Sequence, residues 1–440
     1  MNRIRSIRVF SMLLAAAGLF FTSPAHAQRA FSISVAPTNQ TAVAVIWPVQ
    51  KATPSNNTAV ILPQFQVERS TDLKTWAPVS GMVSGPLGQK LAFVDSVPTL
   101  GFYRVNSIID QEYAQLDHTN LSFGQLQFAD FFGAELFGTS VTNAVLTNST
   151  FAAADLRNAN FTSSDLTGAD LFGVNAFLAT FDFGSFAGAD AGFGDFEAAS
   201  LFNVNLAGSD FSGAILTGAD LDFALFKGMK LDANSVMDAQ PKLVWQVVNN
   251  GATNAVLTNQ DLSFAILDGV SFKGAKLNNT LFTQSFVDGT DFRGASLSNT
   301  ACSSAFFEQA NFGNAVLAKG NFINADFFQA ILTNAVLANG SFSGADFTSA
   351  NGMGANLSNV VCNSAFFEQA NFGNATFARG SFISTDFIQA MLTNAVLTNA
   401  NFNGANFSNA SLRNSNTNGA SFISATFFNT IMPNGTIRNF

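Results

Sequence analysis

Only 11% of the 440 residues are charged, and the whole chain holds two histidines, two cysteines and two tyrosines. One histidine, His26, falls in the leader described below, so a single imidazole, that of His118, is left for the rest of the chain. A zinc site with several histidine ligands, or a proton relay that needs two imidazoles, is thereby excluded. No C-x-x-C, G-x-S-x-G, H-E-x-x-H or phosphate-binding G-x-x-x-x-G-K-[ST] occurs, and no pattern sets a nucleophile beside a base. The expectation is a protein without enzymatic activity. After the leader no stretch reaches 18 uninterrupted apolar residues, so there is no candidate membrane span. What the sequence does have is phenylalanine: 50 residues, 43 of them after residue 110, in a chain that is 48% apolar. That bias points to architecture rather than chemistry, and the length leaves room for two or three domains.

Residues 1–27 read as a secretory signal peptide. Arg3, Arg5 and Arg8 form a basic start, Val9 to Phe21 an apolar run too short for a stable anchor, and Ala25-His26-Ala27 a small-residue cleavage site. Cleavage after Ala27 would leave a product that is secreted or periplasmic. The leader carries three of the 20 basic residues and none of the 29 acids, so the remaining chain has a formal charge of −12.

From 28 to 109 short alternating runs such as Phe31 to Val35, Ala42 to Trp47 and Phe65 to Glu68 are separated by Pro, Asn, Ser and Gly clusters, which predicts a small β-sandwich. The run from Phe65 to Trp76, with Gly101-Phe-Tyr-Arg-Val105 downstream, resembles the fibronectin type III-like modules of exported bacterial proteins. Trp76 and Tyr103 are expected as core aromatics, with a sugar- or protein-binding surface as the alternative.

Beyond Asp110 a period of five takes over. Stepping by five from 116 to 236, 21 of 25 positions are Leu or Phe; stepping from 257 to 437, 30 of 37 are. Two residues before each centre stands a small residue, usually Ala, as in Ala154-Asp155-Leu156-Arg157-Asn158. On an α-helix a step of five turns each centre by about 140° from the last and leaves no buried face. On a flat strand an odd step sends alternate centres to opposite sides. A chain that bends once per repeat keeps every centre inward, and stacking such coils pairs the backbone between coils.

These residues resemble the pentapeptide repeat family, with its A-(D/N)-(L/F)-x-x pattern. The resemblance implies a right-handed, four-sided β-helix in which residues 20 apart stack, in two blocks, 110–236 and 252–440, totalling on the order of 70 Å at the strand spacing. The fold class is thus all-β: an N-terminal sandwich followed by a β-helix. Leu156, Phe161, Leu166, Leu171, Phe307, Phe312, Phe367 and Phe372 are expected in its core. Cys302 to Phe347 match Cys362 to Phe407 at 32 of 46 positions, a duplication by 60 residues that three-sided and four-sided coils accommodate equally. It sets Cys302 and Cys362 three coils apart, roughly 14 Å, beyond disulfide reach. Between the blocks, 237–251 predicts a short helix with Pro241 near its start and Gly251 as its stop, covering the open end of a coil. Trp245 is expected to be a capping core aromatic, a docking residue being the alternative. Leu231 and Leu257 are 26 residues apart, a register shift of one that favours separate rods or an offset pair.

Residues 110–232 carry 16 acids and three bases, whereas 252–440 carries nine acids and seven bases. Asp170, Asp190 and Asp210 fall in one 20-residue column, where adjacent charges repel by roughly 0.9 kcal/mol in water. A calcium ladder is one reading, and local bonding to turn backbone is the other. Ile266, Phe286 and Phe306, with Phe366 three coils beyond, make an outward apolar column that suggests docking or self-association, a loop or helix folded back over it being the alternative. The leading expectation is an exported structural or protein-interaction scaffold. One rival follows from the resemblance, since some members of the family imitate duplex DNA and bind DNA gyrase. A calcium- or glycan-binding surface is another, while the acidic charge disfavours nucleic acid as a partner.

Overall fold

The computed structural model describes residues 114–439 throughout, and before residue 114 the backbone of seven strands. The leader 1–27, Trp76 and the side chain of Tyr103 lie outside the described residues. The chain divides into two units, with a boundary between Ser107 and Ile108.

The first unit holds β1 (Ser34–Thr38), β2 (Ala42–Pro48), β3 (Gln64–Ser70), β4 (Ala77–Pro78), β5 (Val83–Ser84), β6 (Lys90–Asp95) and β7 (Phe102–Ile108). One sheet has the order β1-β2-β6, antiparallel, with Val45 opposite both Val35 and Phe93. In the other, β4 and β5 pair antiparallel with β3, and β7 also pairs with β3.

The second unit is a stack of coils. Isolated parallel bridges link residue i to i+20, from Gln115↔Glu135 to Asp210↔Lys230 and again from Val256↔Lys276 to Ser411↔Ile431. Each coil is therefore four five-residue sides, a count the 60-residue duplication alone leaves open.

The repeat centred on Leu156 shows why this sequence makes this wall. The Leu156 N–H donates to Asn175 of the next coil (2.7 Å), the Asp155 N–H donates back to Ala134 (2.9 Å), and the Asn158 N–H donates forward to Phe177 (3.1 Å). Ala159 closes the turn by donating to the Leu156 carbonyl (2.9 Å). One N–H is left, that of Arg157, and Asp155 Oδ1 accepts it at 3.1 Å. All five main-chain donors are then paired, as a stacked backbone requires. Where the outward residue before the centre is Asp or Asn, its short side-chain acceptor reaches the remaining N–H. The same turn holds its third residue left-handed, Asn158 at φ 56°, and Asn and Gly supply most such positions.

Inward, the centres and the small residues two before them fill the coil; Leu156, Phe161, Leu166, Leu171, Phe307, Phe312, Phe367 and Phe372 are all buried. Rings 20 apart stack. Phe307, Phe327, Phe347, Phe367, Phe387, Phe407 and Phe427 form one column with centroids 4.7–5.5 Å apart. Isolated ring pairs favour offset or edge contacts, so here the coil spacing imposes the near-parallel stack. Burial of each ring contributes about 1.5–3 kcal/mol. Where Thr or Ser replaces the small inward residue, its hydroxyl donates to a carbonyl, as Thr139 does to Leu116 (2.6 Å) and Ser149 to Leu146 (2.6 Å). Cys302 and Cys362 are buried and free in the column that also holds Phe322 and Phe342. Burial pushes the Cys302 thiol up to about 12 and raises that of Cys362 as well.

The register changes before the helix, not within it. Leu216 pairs with Met237, not with 236, in the short parallel ladder of β8 (Ile215–Leu216) and β9 (Val236–Met237). The extra residue is taken up in a turn where Asp232 Oδ1 accepts from both Asn234 and Ser235 (2.9 Å each). Helix α1 (Ala239–Asn250) follows, ending at Gly251 with φ 73°. Its Val244 and Val247 are buried in the same core as both blocks, and the Trp245 indole N–H donates to the Met229 carbonyl (2.8 Å). In the regular wall a left-handed residue donates to a carbonyl of the next coil. At the break Gly213, Gly218 and Gly228 donate instead to the side chains of Asp232 (2.9 Å), Asp238 (2.9 Å) and Asn249 (2.7 Å). On the remaining side the wall runs on directly, Phe223 donating to Phe264 at 2.7 Å. The chain ends in the hairpin of β10 (Thr430–Ile431) and β11 (Ile437–Arg438), with the Arg438 guanidinium 4.3 Å from the centroid of Phe427.

Gly352 occupies a buried centre position, and a methyl group there would run into the Phe372 ring one coil on. Gly352→Ala is expected to cost about 1–3 kcal/mol, the usual scale of overpacking. Adding Phe372→Leu should restore part of that loss, as read by urea unfolding of both variants.

Candidate functional site

The outward column that begins at Ile266 is built by an exception to the wall's own rule. Ile266, Phe286 and Phe306 stand where Asp or Asn would accept the N–H two residues ahead. That N–H is rescued from the preceding coil: Asp268 Oδ1 accepts from Asp288 (3.0 Å), and Asp288 Oδ1 accepts from Glu308 (2.8 Å). The N–H two residues after each ring is thus tied by one hydrogen bond to a carboxylate one coil earlier.

The bridges run Ile266↔Phe286↔Phe306↔Asp326↔Asp346↔Phe366↔Asp386. Phe286 and Phe306 are stacked at 4.7 Å with ring planes 5° apart, and Phe306 and Phe366 are 40% and 46% exposed. Phe366 therefore belongs to the same side but is separated from the stacked pair by two acidic coils. The aromatic path also extends across the break, where linear 20-residue counting loses it. Phe183, Phe202, Phe223 and then Phe264 and Phe286 are linked by ring contacts of 5.5–5.9 Å. At the junction Asn203, Phe223, Leu225, Ile266, Asp268 and Phe286 line a shallow open cleft of about 380 Å³. Phe223 and Phe264 are held at φ 59° and 58°, a left-handed conformation that costs roughly 1–2 kcal/mol in a residue with a Cβ.

Charge on this side is as one-sided as its apolar surface. Seven of the nine acids in 252–440 lie on the coil side that begins at Ile266, from Asp268 to Asp386, and none of the seven bases does. Burial raises the carboxyl of Asp288 above its ordinary range, and the charges of Asp268, Glu308 and Asp326 raise it further. Asp326 is raised by burial and then by Asp346 and Glu308. Across the junction Asp222 is raised by burial and by Asp220 and Asp261. Summing charge by block hides this; summing it by coil side would have found it.

Asp170, Asp190 and Asp210 do stack, joined by the bridges Asp170↔Asp190 and Asp190↔Asp210. Each spends Oδ1 on a turn N–H, from Phe172, Gly192 and Ser212 (3.0 Å each). Thr150 donates to Asp170 Oδ2 (3.4 Å), and Lys230 pairs with Asp210 at 3.3 Å. The hydrogen bond from Ser212, joined by Lys230, holds the Asp210 carboxyl below its usual range. The carboxylates point along a wall instead of converging, and among the described residues no group of three or more His, Cys, Asp or Glu is placed to hold a metal ion. His118 is an exposed turn residue, its ring packed edge-on against Phe137 at 5.3 Å and lying where a side chain on Gly138 would clash.

A solenoid with five-residue sides, apolar within and polar without, is a β-helical repeat protein. The chain belongs to the pentapeptide repeat family: pentapeptide repeats match residues 142–175, 195–231 and, in overlapping segments, 252–439, more than half of the sequence. No curated protein matches it. Among solved structures, HetL, a pentapeptide repeat protein involved in heterocyst differentiation regulation from the cyanobacterium Nostoc sp. strain PCC 7120, is 19% identical over 75% of this chain and 94% of its own, with a TM-score of 0.19. Rfr23 from the cyanobacterium Cyanothece 51142 is 22% identical over 30% of this chain and 91% of its own, with a TM-score of 0.20. Full-length QnrB1, a plasmid-mediated fluoroquinolone resistance protein, is 18% identical over 39% of this chain and 90% of its own, with a TM-score of 0.23.

Because the folded Asp288 carboxyl titrates high, the cost of its charge is fully present at neutral pH. It shrinks as pH falls through the folded value and vanishes below the unfolded pKa of about 3.9. Asp288→Asn keeps an oxygen for the Glu308 N–H while removing the charge. Its melting temperature should exceed that of the parent by about 1–2 °C at pH 7, and the difference should close near pH 3.5. Equal melting at pH 7 would show that the site bears no such strain.

Proposed function

We propose that the protein is an exported, non-enzymatic scaffold, in which a fibronectin type III-like β-sandwich is joined to a pentapeptide-repeat β-helix that presents rigid outward sides to a protein partner. In this reading α1 caps the open coil of the first block, and the Trp245 indole completes the seal. One observation carries the proposal: the wall's polar side chains are committed to its own backbone. Asp155 is tied to Arg157, Asp190 to Gly192, and the inward Thr139 hydroxyl to Leu116. Such groups build a surface of fixed shape and charge, which suits recognition, and are not free to act as an acid, base or nucleophile.

A second reading is favoured by the charge of −13 over residues 110–232, which fits a DNA-mimicking, gyrase-binding protein acting in the cytoplasm. Compartment separates the two. Cells making the full-length chain are fractionated and the N-terminus of the product is sequenced. A product that starts near Gln28 outside the cytoplasm is expected; an intact Met1 product in the cytoplasm would overturn the scaffold reading in favour of the mimic.

A further inference from the structure

The side of the second block that carries Phe286 and Phe306 combines stacked, partly exposed rings with carboxylates and lacks any basic residue, whereas the other three sides and the terminal hairpin hold all seven bases and only two acids. A surface so divided selects its partner by charge as well as by apolar contact. The molecule contains its own small example of the chemistry that fits. Arg157 lies with its guanidinium carbon 5.7 Å from the centroid of the outward Phe137 ring, one coil back, while its Nη2 pairs with Asp155 at 2.6 Å. Ring and carboxylate on neighbouring coils thus hold one guanidinium by its face and its edge together, an arrangement that Lys, with a compact and strongly hydrated charge, matches poorly.

We propose that this side docks an arginine-bearing segment of a partner protein, its guanidinium groups lying against Phe286 and Phe306 and pairing with Asp268, Asp288 and Glu308. The inference rests on the scaffold reading and names the chemistry of the partner. The carboxylates are already partly occupied: Asp268 and Asp288 each give Oδ1 to the backbone. Their remaining lone pairs are available at the coil spacing, in register with the rings. Burial and mutual repulsion raise the Asp288 carboxyl, and an incoming cation would relieve that repulsion. The cleft at the block junction, with Leu225 and Ile266 in its wall, offers the stem of such a side chain an apolar resting place.

The test is a titration of the full chain with a fluorescein-labelled (Arg-Ser)6 peptide at low salt, with (Lys-Ser)6 of the same charge for comparison. Saturable binding at least threefold tighter for the arginine peptide is expected. Phe286→Ser with Phe306→Ser, and separately Asp288→Asn with Glu308→Gln, should each weaken it tenfold or more. Asp195→Asn with Glu197→Gln, which removes the same charge from another side, should leave it within twofold, with melting curves confirming that all variants are folded. No binding, equal binding of both peptides, or equal loss in the Asp195 control would overturn the proposal. So would a dimer mass abolished by the phenylalanine variant, because the face would then belong to a second copy of the chain. Failure here leaves the scaffold reading standing on another side, whereas a cytoplasmic Met1 product removes that reading without touching the titration.

Discussion

One main-chain donor per repeat decides the structure. Coil-to-coil pairing and the turn bond satisfy four of the five N–H groups, and the fifth, on the residue after the centre, faces outward with no backbone partner. An added hydrogen bond to it contributes roughly 0.5–1.5 kcal/mol, repeated along the stack. The chain answers with a carboxylate or amide two residues earlier, as Asp155 serves Arg157. The Asp or Asn of such a repeat is therefore a backbone element carried on a side chain, while centres behind an apolar residue, such as Leu332 after Ile331, are buried without it.

Seen from this constraint, the irregular places have one explanation. Where the coil is broken at 232–251, Asp232, Asp238 and Asn249 stand in for carbonyls that the next coil no longer supplies. Asp238 precedes α1 but makes no side-chain bond to the helix, since its carboxylate serves Gly218. Where Phe286 and Phe306 displace the usual acceptor, Asp268 and Asp288 supply it from one coil away. Aromatic exposure on that side is thus accompanied by an acceptor one coil away, a place that Asn363 fills for Ile383 and that Asp fills here, and the charge of the Asp then determines what can approach.

The β-helix itself was legible because a period of five with inward Leu and Phe has no other compact solution. Side count was not, since a 60-residue duplication divides equally by 15 and by 20; only the bridges from i to i+20 decide it. The register shift is visible in the spacing from Leu231 to Leu257, yet its place at Asp232–Ser235 depends on hydrogen bonds that no periodicity reports. The column from Ile266 to Phe306 was readable by counting in twenties. Its continuation through Phe223 and Phe202 was not, because the break resets the count and those rings sit one to two residues after a centre, where the pattern is most permissive. Position along a wall brings the carboxylates of Asp170, Asp190 and Asp210 into line, whereas calcium favours oxygens that converge.

Asp and Asn present the same oxygen to the orphaned N–H, as Asp190 does to Gly192 and Asn205 to Ala207, both at 3.0 Å. To the backbone the two residues are interchangeable; to the solvent they differ by a full unit of charge. Electrostatic identity can therefore drift from side to side and from block to block while the architecture stays fixed, and a single scaffold can be repainted one atom at a time. The contrast between a strongly acidic first block and a second block that confines its acids to one side is what such freedom leaves behind: two surfaces of different character on the same hydrogen-bonded frame.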